Sequence, residues 1–105
     1  YDFVSRPVMR LLSQICETCE RLDIPVSVCG EVAGKPLEAM CLLALGFRRL
    51  SMPASGIGPV KRMLRSVNMA ELKAGFDEIL TTSNGSFRNE VSSLAINQKV
   101  VLSDG

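Results

Sequence analysis

The sequence has 105 residues, of which 47% are hydrophobic, and it carries 12 basic and 11 acidic side chains for a formal net charge of +1. A chain of this length forms at most one domain with a modest core, and its balanced charges argue against a nucleic-acid surface. No apolar stretch approaches the roughly 20 residues of a membrane span, and the first residues lack a signal-peptide pattern, so we expect a cytoplasmic protein with no nucleic-acid or membrane partner.

The first half of the chain alternates between helix and strand. A first helix is predicted after Ser5, a suitable N-cap, with Pro7 in its first turn. Its apolar residues recur at helical spacing and predict one buried face of Val8, Leu11, Leu12, Ile15, Cys19 and Leu22. A strand follows at about residues 24–29, then a second helix that ends near Leu45, where Gly46 suits a left-handed cap. A second strand is predicted at about residues 47–52.

The second half of the chain is predicted to be helical. After a loop over residues 53–58, a third helix begins near Pro59 and presents an apolar stripe of Val60, Met63, Leu64 and Val67. Asn68, followed by Glu71 three residues later, has the spacing of a capping box and predicts the start of a fourth helix. A polar loop, a weaker fifth helix and a tail without assignment then occupy residues 81–86, 87–96 and 98–105.

Two strands joined by one helix form a right-handed parallel β-α-β unit. A parallel sheet is normally covered on both faces and contains more than two strands. The sequence therefore predicts an α/β fold whose sheet lacks neighbouring strands.

Cys29 is the strongest candidate for chemistry. It ends the first predicted strand and is followed by Gly30, Glu31 and, at the start of the next helix, Gly34. Parallel strands present reactive side chains at their carboxyl ends. A purely structural thiol does not need the glycine-flanked turn and the adjacent glutamate that follow Cys29 here. An ordinary cysteine thiol has a pKa of about 8.5 and is mostly protonated at neutral pH, so it can donate a proton as well as attack as a nucleophile. Since the chain contains no histidine to act as a base, a protease-type nucleophile is disfavoured.

The spacing of Gly30, Gly34 and Lys35 imitates a phosphate-binding loop between a strand and a helix. The nucleotide-binding form needs one more residue between its glycines and a Ser or Thr at the position of Pro36, so a nucleotide site is disfavoured. The free N–H groups at such a helix start could still attract an anion.

The other cysteines are best explained as buried small hydrophobic residues. Cys16 and Cys19 lie inside the first predicted helix and Cys41 inside the second, and four zinc ligands are not available without histidine or a second close cysteine pair. The chain has no secretory context, which indicates reduced thiols. The basic residues of the second strand and third helix are similarly interpreted as solvated side chains, and the methionines as core fillers.

Two motifs carry a resemblance to a known family. Cys-Gly-Glu-Val-Ala-Gly at residues 29–34 and Leu-Leu-Ala-Leu-Gly-Phe-Arg-Arg-Leu-Ser-Met at residues 42–52 resemble the C-terminal barrel of phosphoenolpyruvate-protein phosphotransferases. These are enzyme I of the bacterial sugar phosphotransferase system and its nitrogen-regulatory relative. Residues 1–8 and 57–61 resemble the starts of the family's sixth and eighth barrel helices. The chain departs from the family at Lys35, where Asp is frequent, and in the turn at residues 53–56, and it matches loosely beyond Thr82.

The resemblance implies a partial (β/α)8 TIM barrel: residues 1–105 would form a C-terminal fragment with strands seven and eight, their helices and additional C-terminal helices. The implied enzyme transfers phosphate from phosphoenolpyruvate to a protein histidine and then to an HPr-like phosphocarrier protein. Cys29 takes the role of the acid that protonates enolpyruvate to pyruvate, with Gly30, Glu31 and Gly34 supporting the substrate loop.

The resemblance also implies groups that this sequence does not contain. The phosphohistidine, the carboxylates that bind Mg²⁺ and the arginines that clamp phosphoenolpyruvate would lie upstream of Tyr1, so the isolated fragment is expected to be inactive. The two predicted strands would leave two unpaired edges, and the apolar helix faces that pack on the absent neighbours would be exposed. From both features we expect a homo-oligomer, most simply a dimer. Two alternatives belong to other classes: an anion-binding regulatory module using residues 30–36, and a structural piece that serves only subunit contact.

Overall fold

The computed structural model describes residues 2–82 and 85–102. Within these residues the chain forms five α-helices, namely α1 (Arg6–Arg21), α2 (Pro36–Leu45), α3 (Ala54–Arg65), α4 (Met69–Thr82) and α5 (Phe87–Asn97). Two short strands, β1 (Val28–Cys29) and β2 (Leu50–Ser51), pair in parallel, and a 3₁₀ turn spans Glu31–Gly34. The fold is therefore mostly helical with a small parallel sheet, which confirms the α/β character that the sequence predicts.

Helix α2 forms the centre of the core. Every residue from Ala39 to Leu45 is buried, and the helix packs against α1, α3 and α4. Gly46 ends it with φ of 118°, a left-handed conformation that glycine adopts without steric cost, as predicted. Cys41 is fully buried, and burial raises the pKa of its thiol to about 12, which confirms its interpretation as a small core residue.

Both strands are shorter than the sequence predicts, because the residues at their predicted amino-terminal ends do not pair with the neighbouring strand. Pro25 has no N–H to donate to a ladder, and the N–H of Phe47 instead bonds the Leu42 carbonyl at 3.1 Å and closes α2. The side chain of Arg48 also donates to the carbonyl oxygens of Leu43 and Phe47, at 2.8 and 3.0 Å. The predicted strands at residues 24–29 and 47–52 are thus reduced to two residues each.

The buried face of α1 differs from the predicted one. Met9 and Cys16 are buried and Leu12 packs on the core, whereas three members of the predicted face are exposed, namely Leu11, Ile15 and Leu22. Cys19 is half-buried rather than buried. The helix carries more apolar residues than one stripe can hold, and its closest packing in this structure is against α2 and α4.

Helix α3 begins at Ala54, five residues before the predicted start at Pro59. The sequence predicts a loop there because of Gly56, Gly58 and Pro59, yet all three lie inside the helix. Leu64, assigned to the buried stripe, is 43% exposed, while Val60 and Met63 are buried as expected. The earlier start is a tertiary effect, because Gly56 is buried against the 3₁₀ turn.

The last two helices begin at local capping signals. The Oδ1 atom of Asn68 accepts a hydrogen bond from the Glu71 N–H at 3.1 Å, as the capping-box spacing predicts. Ser86 Oγ caps α5 by accepting from the Asn89 N–H at 3.3 Å. In the predicted polar loop, residues 83 and 84 lie outside the described part of the chain, as do residues 103–105 of the tail. Among the described residues, no helix has both the length and the apolar character needed to cross a bilayer.

Hydrogen bonds and ion pairs connect α5 to the first six residues of the sequence. The Arg88 guanidinium donates two hydrogen bonds to the Asp2 carboxylate, at 2.9 and 3.0 Å, and lies 3.6 Å from Glu38. Arg6 pairs with Glu90 at 3.2 Å and lies over the Phe87 ring. Phe87 in turn meets Phe76 edge-to-face at 5.7 Å, so the C-terminal helices are anchored by both apolar and ionic contacts.

Candidate functional site

Cys29 is the last residue of β1 and its side chain is exposed, as predicted for a residue at a strand tip. The parallel register places it beside Ser51, the last residue of β2. The ladder is held by the Val28 N–H bonded to the Arg49 carbonyl at 2.9 Å and by the Gly30 N–H bonded to the Ser51 carbonyl at 3.1 Å. The backbone on both sides of Cys29 is therefore fixed to the neighbouring strand.

The two faces of this small sheet differ in character. Val26, Val28, Leu50 and Met52 are half-buried and pack on the hydrophobic core, whereas the alternate residues, Ser27, Cys29, Arg49 and Ser51, are exposed. Successive side chains along a strand point to opposite faces. Cys29 consequently stands on a polar face that the helices of this chain leave open.

The turn after Cys29 requires glycine at its first position. Gly30 has φ of 117° and ψ of −174°, a conformation that residues with a Cβ rarely adopt. Glu31 then begins the 3₁₀ turn with its side chain exposed, and the buried Ala33 anchors the turn to the core. The structure thus brings Cys29, Gly30 and Glu31 together at one strand end, as the sequence predicts.

Gly34 occupies the end of this turn at a close contact with α3. A Cβ built on Gly56 would lie 2.6 Å from the Gly34 Cα and 2.8 Å from the Gly34 carbonyl oxygen. A cleft of about 360 Å³ lies between the two elements, lined by Glu31 and Lys35 on one side and by Ser55 and Pro59 on the other. Sequence reasoning identified Gly34 but missed its partner Gly56, because the two are 22 positions apart.

A larger hollow of about 890 Å³ lies elsewhere, at the amino-terminal side of the strands between α1, α2 and α4. Exposed side chains of both charge signs line it, among them Glu17, Arg48 and Lys73, and Cys29 does not. Cys16 also borders it, and burial raises the pKa of that thiol, with a further contribution from Glu20. Acidic and basic side chains are mixed in its lining and Cys29 is not part of it, so size alone does not make this hollow the candidate site.

The described residues offer no site for a metal ion. Within residues 2–82 and 85–102, no group of three cysteine, aspartate or glutamate side chains lies close enough to hold one. Mg²⁺ takes oxygen ligands in octahedral geometry, and Glu31 is the acidic residue beside Cys29. One carboxylate is fewer than the oxygen ligands of a Mg²⁺ site, so the residues around Cys29 do not fit such a site by themselves, and the resemblance assigns its carboxylates to other residues.

A model of a known protein family matches most of this chain. The family model described as the PEP-binding domain of PEP-utilising enzymes matches residues 1–69, which include both strands and the Cys29 turn. The chain belongs to this family. The matched range ends at Met69, the first residue of α4, 13 residues before Thr82, beyond which the sequence resembles the family only loosely.

Three relatives of this chain are bacterial proteins several times longer than it is. A "Phosphoenolpyruvate-dependent phosphotransferase system" protein of Salmonella typhimurium is 34% identical over 71 residues, which are 68% of this chain and 10% of that protein. A "Phosphoenolpyruvate-protein phosphotransferase" of Borreliella burgdorferi is 32% identical over 84 residues, 80% of this chain and 15% of that protein. One of Chlamydia trachomatis is 36% identical over 64 residues, 61% of this chain and 11% of that protein. No solved structure matches the chain.

Proposed function

We propose that this chain is the C-terminal part of a phosphoenolpyruvate-protein phosphotransferase and that Cys29 is the acid that protonates enolpyruvate. The observation that carries the proposal is the position of Cys29: it ends a parallel strand, is exposed on the open polar face, and lies within the segment that matches the family. Strand ends of this kind hold catalytic residues in α/β enzymes.

The proposed step is a proton transfer to carbon. After the phosphoryl group of phosphoenolpyruvate has passed to a protein histidine, enolpyruvate remains at the strand ends. The Cys29 Sγ–H gives its proton to the methylene carbon, a new C–H bond forms, and the enolate electrons close the carbonyl of pyruvate. The thiolate left behind recovers a proton from water. A thiol suits this role because it is acidic enough to donate near neutral pH, whereas a serine hydroxyl is not.

The proposal assigns the remaining chemistry to other parts of the protein. This sequence contains no histidine, so the proposal places the phosphohistidine in another part of the full-length protein, together with the Mg²⁺ ligands and the arginines that bind phosphoenolpyruvate. The isolated 105-residue chain should accordingly form no phosphorylated carrier protein, because positioning and electrostatic stabilisation dominate phosphoryl transfer. A cytoplasmic location and an HPr-like phosphocarrier partner belong to the same proposal.

The proposal also includes a partial (β/α)8 barrel, in which β1 and β2 are strands seven and eight of the full-length enzyme. Two features support it: the strands are parallel neighbours joined by a helix, and their uncovered face is polar while the opposite face packs on helices. Such a face suits the upper interior of a barrel, where substrate groups and side chains from other strands converge.

Substitution of Cys29 by serine in the full-length enzyme tests the function. Cys29→Ser should slow pyruvate formation about 10²-fold or more while leaving the protein folded, because the hydroxyl is a far weaker acid. Cys19→Ser, a half-buried change on α1, is the matched control and should keep the wild-type rate. Unchanged pyruvate formation in a folded Cys29→Ser enzyme would contradict the assignment.

A further inference from the structure

We propose that Gly56 is a positioning residue for Cys29: by lacking a side chain, it lets α3 contact the 3₁₀ turn so closely that the Cys29 turn is held in its reactive position. This inference rests on the function proposed above. It goes beyond that function because Gly56 belongs to another helix and lies outside the Cys-Gly-Glu motif.

The contact between Gly56 and the turn involves backbone atoms alone. A Cβ at position 56 would approach the Gly34 Cα to 2.6 Å, the carbonyl oxygen to 2.8 Å and the carbonyl carbon to 3.1 Å. Ordinary contacts of a Cβ begin at 3.4 Å. Because no flexible side chain can yield here, any larger residue must push α3 and the turn apart by up to about 0.8 Å, the difference between 3.4 and 2.6 Å.

Only a short segment of the chain separates this contact from the Cys29 thiol. The five residues 30–34 connect Cys29 to the contact, and they are fixed at one end by the bond from the Gly30 N–H to the Ser51 carbonyl. At the other end, Gly34 lies between Gly56 and Met52, whose Cβ would be 3.3 Å from a Cβ on Gly34. The turn therefore cannot move away from α3 freely, because Met52, the residue after β2, lies close to its other side. Displacing Gly34 strains the segment that carries Gly30 and Glu31.

Helix formation itself does not call for glycine at position 56. An interior glycine destabilises a helix by roughly 0.5 to 1 kcal/mol relative to alanine. Gly58, two residues further along α3, has no positive φ, and a Cβ there would lie 3.8 Å from the Arg62 Nη1, an ordinary distance. Gly58→Ala is thus a control that adds the same methyl group to the same helix without contact with the Cys29 turn. Its unfolding temperature is measured as well, because a side chain before Pro59 disfavours the helical backbone.

The test compares Gly56→Ala and Gly58→Ala in the full-length enzyme, with folding followed by thermal unfolding. Gly56→Ala should lower kcat for pyruvate formation about 10-fold or more with little change in KM for phosphoenolpyruvate, because misplacement by about 1 Å can cost up to about 10²-fold. Gly58→Ala should keep the wild-type kcat. A lower fraction of folded protein would reduce the number of active molecules, so kcat is expressed per folded enzyme.

A double variant separates positioning from a general structural effect. If Gly56 acts through Cys29, Cys29→Ser combined with Gly56→Ala should be as slow as Cys29→Ser alone. A further loss in the double variant would show that Gly56 acts independently of the thiol and would overturn the inference.

The remaining outcomes are also decisive. A folded Gly56→Ala enzyme with the wild-type kcat overturns the inference alone, provided that Cys29→Ser is slow; a fast Cys29→Ser enzyme overturns the proposed function itself. Should Gly56→Ala fail to fold, Gly34→Ala replaces it, because its Cβ would lie 3.3 Å from the Met52 Cβ and 3.4 Å from the Gly56 Cα, so that fitting it between these neighbours requires a shift of only a few tenths of an ångström. We expect about a threefold lower kcat there, and a wild-type kcat would count against the inference equally.

Discussion

Cys29 and Ser51 are register partners on adjacent parallel strands, and both side chains are exposed on the open face of the sheet. They are 22 positions apart in the sequence, and the whole of α2 lies between them. The pairing makes Ser51 the neighbour of the proposed acid and gives a direct way to test the register.

We predict that Ser51→Cys can be cross-linked to Cys29. Dibromobimane becomes fluorescent once both of its arms have reacted with thiols, and register partners in a sheet lie close enough for one reagent to join them. Fluorescence should therefore develop rapidly in the variant and slowly in the wild type, in which Cys16 and Cys41 are buried.

Met52→Cys is the matched control for this experiment. Met52 follows Ser51 by one residue and packs against the core on the opposite face, so its thiol should not be joined to Cys29. Equal fluorescence from both variants, or cross-linking only through position 52, would mean that the register is wrong.

A second prediction concerns the ionic contact between Asp2 and Arg88. The hydrogen bonds from Arg88 hold the pKa of the Asp2 carboxyl below its ordinary value of 3.8. Because the folded-state pKa is the lower one, the stabilisation is present above about pH 3.8 and is lost as the pH falls through the folded-state value. An NMR titration of the Asp2 carboxyl should give a midpoint below 3.8.

Arg88→Gln provides the control for this titration. Removing the guanidinium should return the Asp2 midpoint toward 3.8, whereas Arg65→Gln, an exposed change on α3, should leave it depressed. An Asp2 midpoint at its ordinary value in the wild-type chain would show that the contact does not persist in solution.

The homo-oligomer expected from the sequence stays a prediction, and the structure identifies which apolar side chains are exposed. The strands are too short to present long unpaired edges, but four large apolar side chains are exposed on α1 and just after it: Leu11, Ile15, Leu22 and Ile24. Exposed apolar patches favour association. Sedimentation equilibrium of the 105-residue chain at micromolar concentration should therefore give a mass above the monomer value of 11.4 kDa.

A substitution on this face tests where the association occurs. Ile15→Glu should lower the average mass toward that of the monomer, because a buried charge would be costly, whereas Arg65→Glu on α3 should leave the mass unchanged. A wild-type chain that sediments as a pure monomer would contradict the prediction.

The sequence by itself determined those features of this protein that depend on neighbouring residues. The end of α2 at Gly46, the cap at Asn68 and the position of Cys29 at a strand tip before Gly30 were all predicted correctly. Each is decided within a few residues, by a permitted backbone angle or by a side chain that bonds a nearby N–H group. The family motifs are also short continuous segments, so the resemblance is visible in the sequence alone.

Only the tertiary structure decided which surfaces and distant residues meet. The start of α3 at Ala54 depends on the contact of Gly56 with Gly34, and a loop was the wrong prediction because glycine and proline signal turns only when packing does not override them. The buried side of α1 likewise depends on where α2 and α4 lie, since its apolar residues cover more than one face. Contacts between elements far apart in the chain are set by packing of the whole core, which no short segment encodes.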